Sequence, residues 1–138
     1  MKKNILVLCT GNSCRSQIAE AYLRIFAREK AGIYSAGIEA HGLNPNAMKT
    51  MLEDGIDISG HTSNLVDEYI HIAFDFVITV CDNAHERCPY FPSKAIKLHH
   101  NFPDPAKAIG SDEEIREAFR AVREQIKAFC KEFVEDHL

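Results

Sequence analysis

Short apolar runs alternate with stretches of helical periodicity along this chain. Residues 4–8, with Ile5-Leu6-Val7-Leu8, show no polar alternation, as in a strand buried on both faces. Residues 17–29 set Ile18, Tyr22, Ile25 and Phe26 at helical spacing, and Gly32 is expected to end that helix. Residues 33–38 read as a second strand in which Gly37 admits a bend or a close approach. Asn44-Pro45 opens a helix with an apolar side of Ala47, Met48, Met51 and Leu52, and Gly55 stops it. A polar loop over 57–64 and a short helix over 65–72 follow. Residues 74–80 form a third buried strand that runs into Cys81. Residues 82–88 can make a short helix ended by Pro89. Residues 95–99 are a weaker fourth strand, followed by the rigid turn Phe102-Pro103-Asp104-Pro105. The clearest helix covers 111–134, with Ser111 and Glu114 as a capping box. Its apolar stripe is Ile115, Phe119, Val122, Ile126, Phe129 and Phe133, with Cys130 beside it as a buried thiol.

Strands alternating with helices predict an α/β fold, a four-stranded parallel sheet covered on both faces. The 138 residues suffice for a single domain over 1–138 with a real core. In such sheets ligands bind beyond the carboxyl ends of the strands, where the strand order reverses.

Composition narrows the function classes. A net charge of −4 argues against general nucleic-acid binding, so an anion site must be a local concentration of donors. The apolar part of the first ten residues is too short for a signal peptide, and no stretch is long enough to span a bilayer. A cytoplasmic monomer is expected. The five cysteines, Cys9, Cys14, Cys81, Cys88 and Cys130, are odd in number and speak against a disulfide framework. Their spacings fit zinc poorly. Thiols with nucleophilic or redox work remain.

The chemistry concentrates in Cys9-Thr10-Gly11-Asn12-Ser13-Cys14-Arg15-Ser16, between the first strand and the first helix. Backbone N–H groups of such a loop can converge on one point, and the helix start adds its positive end. Arg15 supplies a rigid fork of donors that fits a tetrahedral oxyanion. Cys9, at the loop entrance, is then a thiolate nucleophile facing an oxyanion cradle. Asp104, with its backbone fixed between two prolines, is a candidate general acid. Cys81 and Cys88 are the second informative pair. In a helix their Cα atoms would stand about 10 Å apart, against roughly 5.5 Å in a disulfide. They can pair only if that segment unwinds. His99-His100 is read as non-functional, because adjacent strand residues face opposite ways.

The pattern Cys-x5-Arg-Ser resembles the signature loop of the low-molecular-weight tyrosine phosphatases and of the arsenate reductases that share their fold. The likeness extends over CTGNSCRSQ at 9–17, YSAGIEAHGLNPNA at 34–47, IDISGHTS at 56–63, VCDNAHERCP at 80–89 and PDPA at 103–106. The two later cysteines place the chain nearest the thioredoxin-coupled arsenate reductases. That resemblance implies a three-layer fold with strand order 2-1-3-4, which would bring Cys9 and Cys81 to one sheet edge. It implies that Thr10, Gly11, Asn12, Ser13, Cys14, Arg15 and Ser16 bind the oxyanion, with Ser16 bonding the Cys9 thiolate and Cys14 turned toward packing.

The implied reaction is a relay. Cys9 attacks arsenic, Asp104 protonates the departing oxygen, Cys81 displaces arsenite from Cys9, and Cys88 then pairs with Cys81. Thioredoxin reduces that last disulfide. No tightly bound cofactor is implied. Some relatives bind potassium beside the loop; the matching positions are Asn12, Glu20, Ser35 and Asn64. Because Asn64 replaces an acid, binding is expected to be weak or absent. His61 near it is read as a surface loop histidine. Two rival functions share the loop: a phosphatase for phosphotyrosine or small esters using Cys9, Arg15 and Asp104, and a non-catalytic oxyanion or redox sensor. Ala106-Lys107-Ala108 after Pro105 lacks the aromatic residues that would grip a phenyl ring.

Overall fold

The computed structural model describes residues 2–81 and 91–138. The apolar run at the start of the chain becomes β1 (Lys3–Cys9), whose side chains from Ile5 to Cys9 are all buried. β1 pairs in parallel with β2 (Ala31–Gly37) on one side and β3 (Phe76–Thr79) on the other. β4 (Ile96–His99) adds to β3, so the strand order is 2-1-3-4, as the resemblance implied.

Alternation along β1 feeds two cores. Ile5, Val7 and Cys9 join the cluster built by the helices α1 (Arg15–Ala27), α2 (Pro45–Glu53) and α3 (Asp112–His137). Leu6 and Leu8 face the other way, onto Ala36, Phe74, Val77 and Phe91, with Val66 and Tyr69 of the 3-10 segment Val66–Tyr69 packed against them. All three α-helices of the described residues therefore cover one face, and 3-10 and irregular segments cover the other.

The helix ends follow local chemistry. Asn44 caps α2 through Oδ1, which accepts from the amides of Asn46 and Ala47 at 2.8 and 3.2 Å. Ser111 and Glu114 close the capping box of α3. α1 ends earlier than the sequence suggests, at Ala27, with Arg28 in the left-handed region at φ 52°. Gly32 is therefore not a helix stop; it pairs with Asn4 inside β2. α3 is tied to its neighbours by polar contacts. Tyr22 donates to Asp54 at 2.6 Å and Lys127 donates to the same oxygen at 3.0 Å. Burial, reinforced by Asp54, pushes the Tyr22 hydroxyl well above its ordinary range, and the Tyr22 and Lys127 donors hold Asp54 below its own. The helix expected over 82–88 and its terminator Pro89 lie outside the described residues.

Candidate active site

β1 delivers Cys9 to the carboxyl edge of the sheet, opposite Gly37 in the parallel register, as a buried free thiol. The chain then turns through Thr10–Cys14 into α1. The side chain of its N-cap residue, Cys14, makes no capping bond, and its first turn holds no acidic residue. A helix start left this way keeps its amide donors and its positive end for a ligand.

The wall behind the loop is the segment 37–44. The amides of Glu39, His41 and Asn44 donate to the carbonyls of Thr10, Gly11 and Ser13 at 3.0, 3.0 and 2.9 Å. In a planar trans peptide the carbonyl and the following N–H point in opposite directions. With those carbonyls tied to the wall, the amides of Gly11, Asn12 and Cys14 are turned away from it. Gly37 allows the approach: a Cβ there would meet the Thr10 carbonyl at 2.6 Å.

Asn12 holds the loop from inside. It has φ 47° and is fully buried. Its Nδ2 donates to Ser16 Oγ at 2.8 Å and Ser35 Oγ at 2.9 Å, while its Oδ1 accepts from the Asn64 amide at 2.7 Å. Its carbonyl accepts from Gln17 Nε2 and Ser63 Oγ. Ser16 Oγ thus serves Asn12 as an acceptor, and its own hydrogen stays available to donate.

Arg15, 3% exposed, donates through Nη1 to the Phe102 carbonyl at 3.1 Å and stands 3.7 Å through Nη2 from Asp104 Oδ2. Asp104 Oδ1 accepts from the Ala106 amide at 3.0 Å, capping the 3-10 turn Pro105–Lys107. The turn Phe102–Pro105 therefore anchors the loop arginine and sets a carboxylate beside it. Cys14 is buried in the helical core; desolvation, with Cys9 and Asp104 nearby, pushes its thiol far up and keeps it neutral.

Cys81 is completely buried and disulfide-bonded, unlike Cys9, Cys14 and Cys130. Leu8 is in register with Thr79, and the Val80 amide donates to the Leu8 carbonyl. Cys81 thus stands one residue past the position opposite Cys9, at the same sheet edge. Cys88 lies outside the described residues.

The four residues matched to a potassium site do come together, but their oxygens are already committed. Glu20 accepts from Ser35 at 2.6 Å and from Arg24 at 2.9 Å. Asn64 Oδ1 accepts from Thr62, its Nδ2 donates to Glu68, and Asn12 Oδ1 is taken by the Asn64 amide. With one carboxylate, and that one countered by Arg24, this set does not fit a cation.

His61 is not the surface histidine expected. Its side chain is 17% exposed, and Nδ1 is 3.0 Å from Gln17 Oε1. Gln17 Nε2 donates to two carbonyls, so Oε1 must accept and His61 carries its hydrogen on Nδ1. Gln17, Ser63, His41 and the Phe102 carbonyl also hold the loop or its arginine, through contacts that no motif announces. Of these, Gln17 alone has a sequence signal, a polar residue in the first turn of α1. The histidine pair separates as expected: His99 Nδ1 lies 2.6 Å from Thr79 Oγ1, while His100 stacks on Phe102.

The model of the low molecular weight phosphotyrosine protein phosphatase family matches residues 4–137. The chain belongs to that family. Among its relatives, the arsenate reductase of Halalkalibacterium halodurans is 50% identical, covering 97% of this chain and 96% of that protein. The arsenate reductase of Bacillus subtilis is 49% identical over 96% of each. A solved structure described as an arsenate reductase in the phosphate binding state superposes with a TM-score of 0.82 at 31% identity, covering 97% of this chain and 98% of that one. As a member of this phosphatase family, the chain carries the family's fold from β1 through α3. Among the described residues no helix is long and apolar enough to cross a membrane.

Proposed function

We propose that this protein reduces arsenate to arsenite by a relay of Cys9, Cys81 and Cys88, with thioredoxin as the reductant. The observation that carries this reading is that Cys81 stands one residue past the position opposite Cys9, at the same sheet edge, in a chain half identical to arsenate reductases.

Arsenate docks in the loop against the amides turned from the wall and the Arg15 guanidinium. The Cys9 sulfur forms a bond to arsenic, and an arsenic oxygen leaves as water with a proton from Asp104. Once thioredoxin has reduced the disulfide that Cys81 carries in this structure, the Cys81 thiolate attacks the Cys9 sulfur. The sulfur–arsenic bond breaks, its electron pair stays on arsenic, and arsenite departs as a Cys9–Cys81 disulfide forms. Cys88 then attacks Cys81, returning Cys9 as a thiolate, and the thioredoxin dithiol reduces the Cys81–Cys88 bond. Two electrons reach arsenic and two are supplied by thioredoxin. Ala106 and Ala108 beside Asp104 give no aromatic grip, which favours an inorganic oxyanion over phosphotyrosine.

The test is NADPH oxidation with thioredoxin, thioredoxin reductase and arsenate. Arsenate-dependent oxidation that disappears in Cys9→Ser and in Cys81→Ser is expected. Sustained turnover by either variant overturns the relay. Hydrolysis of a phosphate ester that ignores thioredoxin, with no arsenate turnover, would make the protein a phosphatase; neither activity would leave a sensor.

A further inference from the structure

We propose that His41 is a positioning residue of the oxyanion loop, acting through Gly11; the proposal rests on the oxyanion reading above. The His41 ring lies against the Gly11 backbone. A Cβ built on Gly11 would stand 2.5 Å from His41 Nδ1, 3.0 Å from Cε1 and 3.1 Å from Cγ. The imidazole thus occupies the volume in which any side chain at position 11 would begin.

Two contacts hold the ring there. The His41 amide donates to the Gly11 carbonyl at 3.0 Å. On the far side of the ring, Nε2 is 3.0 Å from Glu39 Oε1. A carboxylate only accepts, so Nε2 carries the hydrogen and Nδ1 is the edge turned to Gly11. Glu39 is itself fixed by its amide on the Thr10 carbonyl. Backbone and side chain of one short segment therefore grip two successive peptides of the loop.

Gly11 does not need glycine for its own backbone. The described glycines with positive φ are Gly42, Gly55 and Gly110. No positive φ demands glycine at position 11, and the nearest obstacle to a Cβ there is the imidazole. The absence of a side chain at position 11 and the presence of His41 are two halves of one contact. The ring keeps the Gly11 and Asn12 amides facing the ligand, and a displaced loop loses that alignment.

A double-mutant cycle read by inorganic phosphate tests this. Phosphate affinity is measured by calorimetry, and by protection of Cys9 from iodoacetamide. Gly11→Ala is expected to weaken phosphate by about ten- to a hundredfold, the scale of a displaced binding group. His41→Ala should weaken it by about three- to tenfold, with the melting temperature little changed. The double variant should bind no worse than His41→Ala, because the space is then free. An equal Gly11→Ala penalty in both backgrounds overturns the proposal, as does His41→Ala binding like the parent. If Gly11→Ala does not fold, His41→Ala and His41→Asn decide by the same measurement: parental affinity in both sinks the proposal, and a loss in His41→Ala supports it. Failure of the parent itself to bind phosphate would instead remove the oxyanion reading.

Discussion

Arg15 and Asp104 face each other at 3.7 Å, and the second oxygen of that carboxylate is held by the Ala106 amide. The acid is aimed by its own turn, while the arginine is anchored on the Phe102 carbonyl. Their roles should therefore separate. Asp104→Asn is expected to lower arsenate turnover by about 10²- to 10⁴-fold, the ordinary worth of a general acid. Phosphate binding should persist, since the amide adds no negative charge. Steady-state rates beside a phosphate titration check this; a variant with parental turnover would remove Asp104 from the chemistry.

Acid should loosen the seam between α1, α2 and α3 through Asp54. Tyr22 and Lys127 hold its folded carboxyl below the ordinary value, so its contribution is fully present above the unfolded carboxylate range. That contribution fades as pH falls through the lower, folded value. Denaturation of the parent and Asp54→Asn at a series of pH values should show a gap at neutral pH that closes in strong acid. A gap that widened on acidification would contradict this assignment.

Ile126 is completely buried where α3 meets the rest of the helical core. Ile126→Ala removes buried methylenes and leaves a cavity, at an expected cost of about 2–5 kcal/mol. Urea unfolding should show a lower midpoint at unchanged slope.

Turnover should be indifferent to exchanging sodium for potassium. Glu20 is already neutralised by Arg24, and the neutral Asn64 is bonded to Thr62 and Glu68. Asn64→Asp restores a second carboxylate and is expected to introduce some potassium dependence. Potassium activation of the parent would show that these hydrogen bonds yield to the ion.

Much of the fold could be read from the chain because its signals are local. An unbroken apolar run marks β1, a nearly unbroken one marks β3, and Ser111 with Glu114 marks the start of α3. The loop from Cys9 to Ser16 was legible because a nucleophile, an arginine and a strand-to-helix turn coincide there. The errors arise where distant contacts override local preference. Gly32 looks like a helix stop, yet its lack of a side chain suits a strand in which Asn4 Oδ1 would stand 3.0 Å from a Cβ. Arg28 ends the helix instead, its amide donating to the Arg24 carbonyl. His61 looked solvated because its partner, Gln17, lies on another element. The grip of residues 39–44 on the loop carbonyls is made by backbone, which composition does not reveal.

The uncapped, acid-free start of α1 leaves a thermodynamic mark on the whole molecule. The positive end of such a helix start attracts a tetrahedral anion, and a ligand favouring the native form raises heat resistance by mass action. At one hundred times its dissociation constant such an anion adds about 2.7 kcal/mol. The protein should accordingly melt later in phosphate than in a Tris buffer of matched ionic strength.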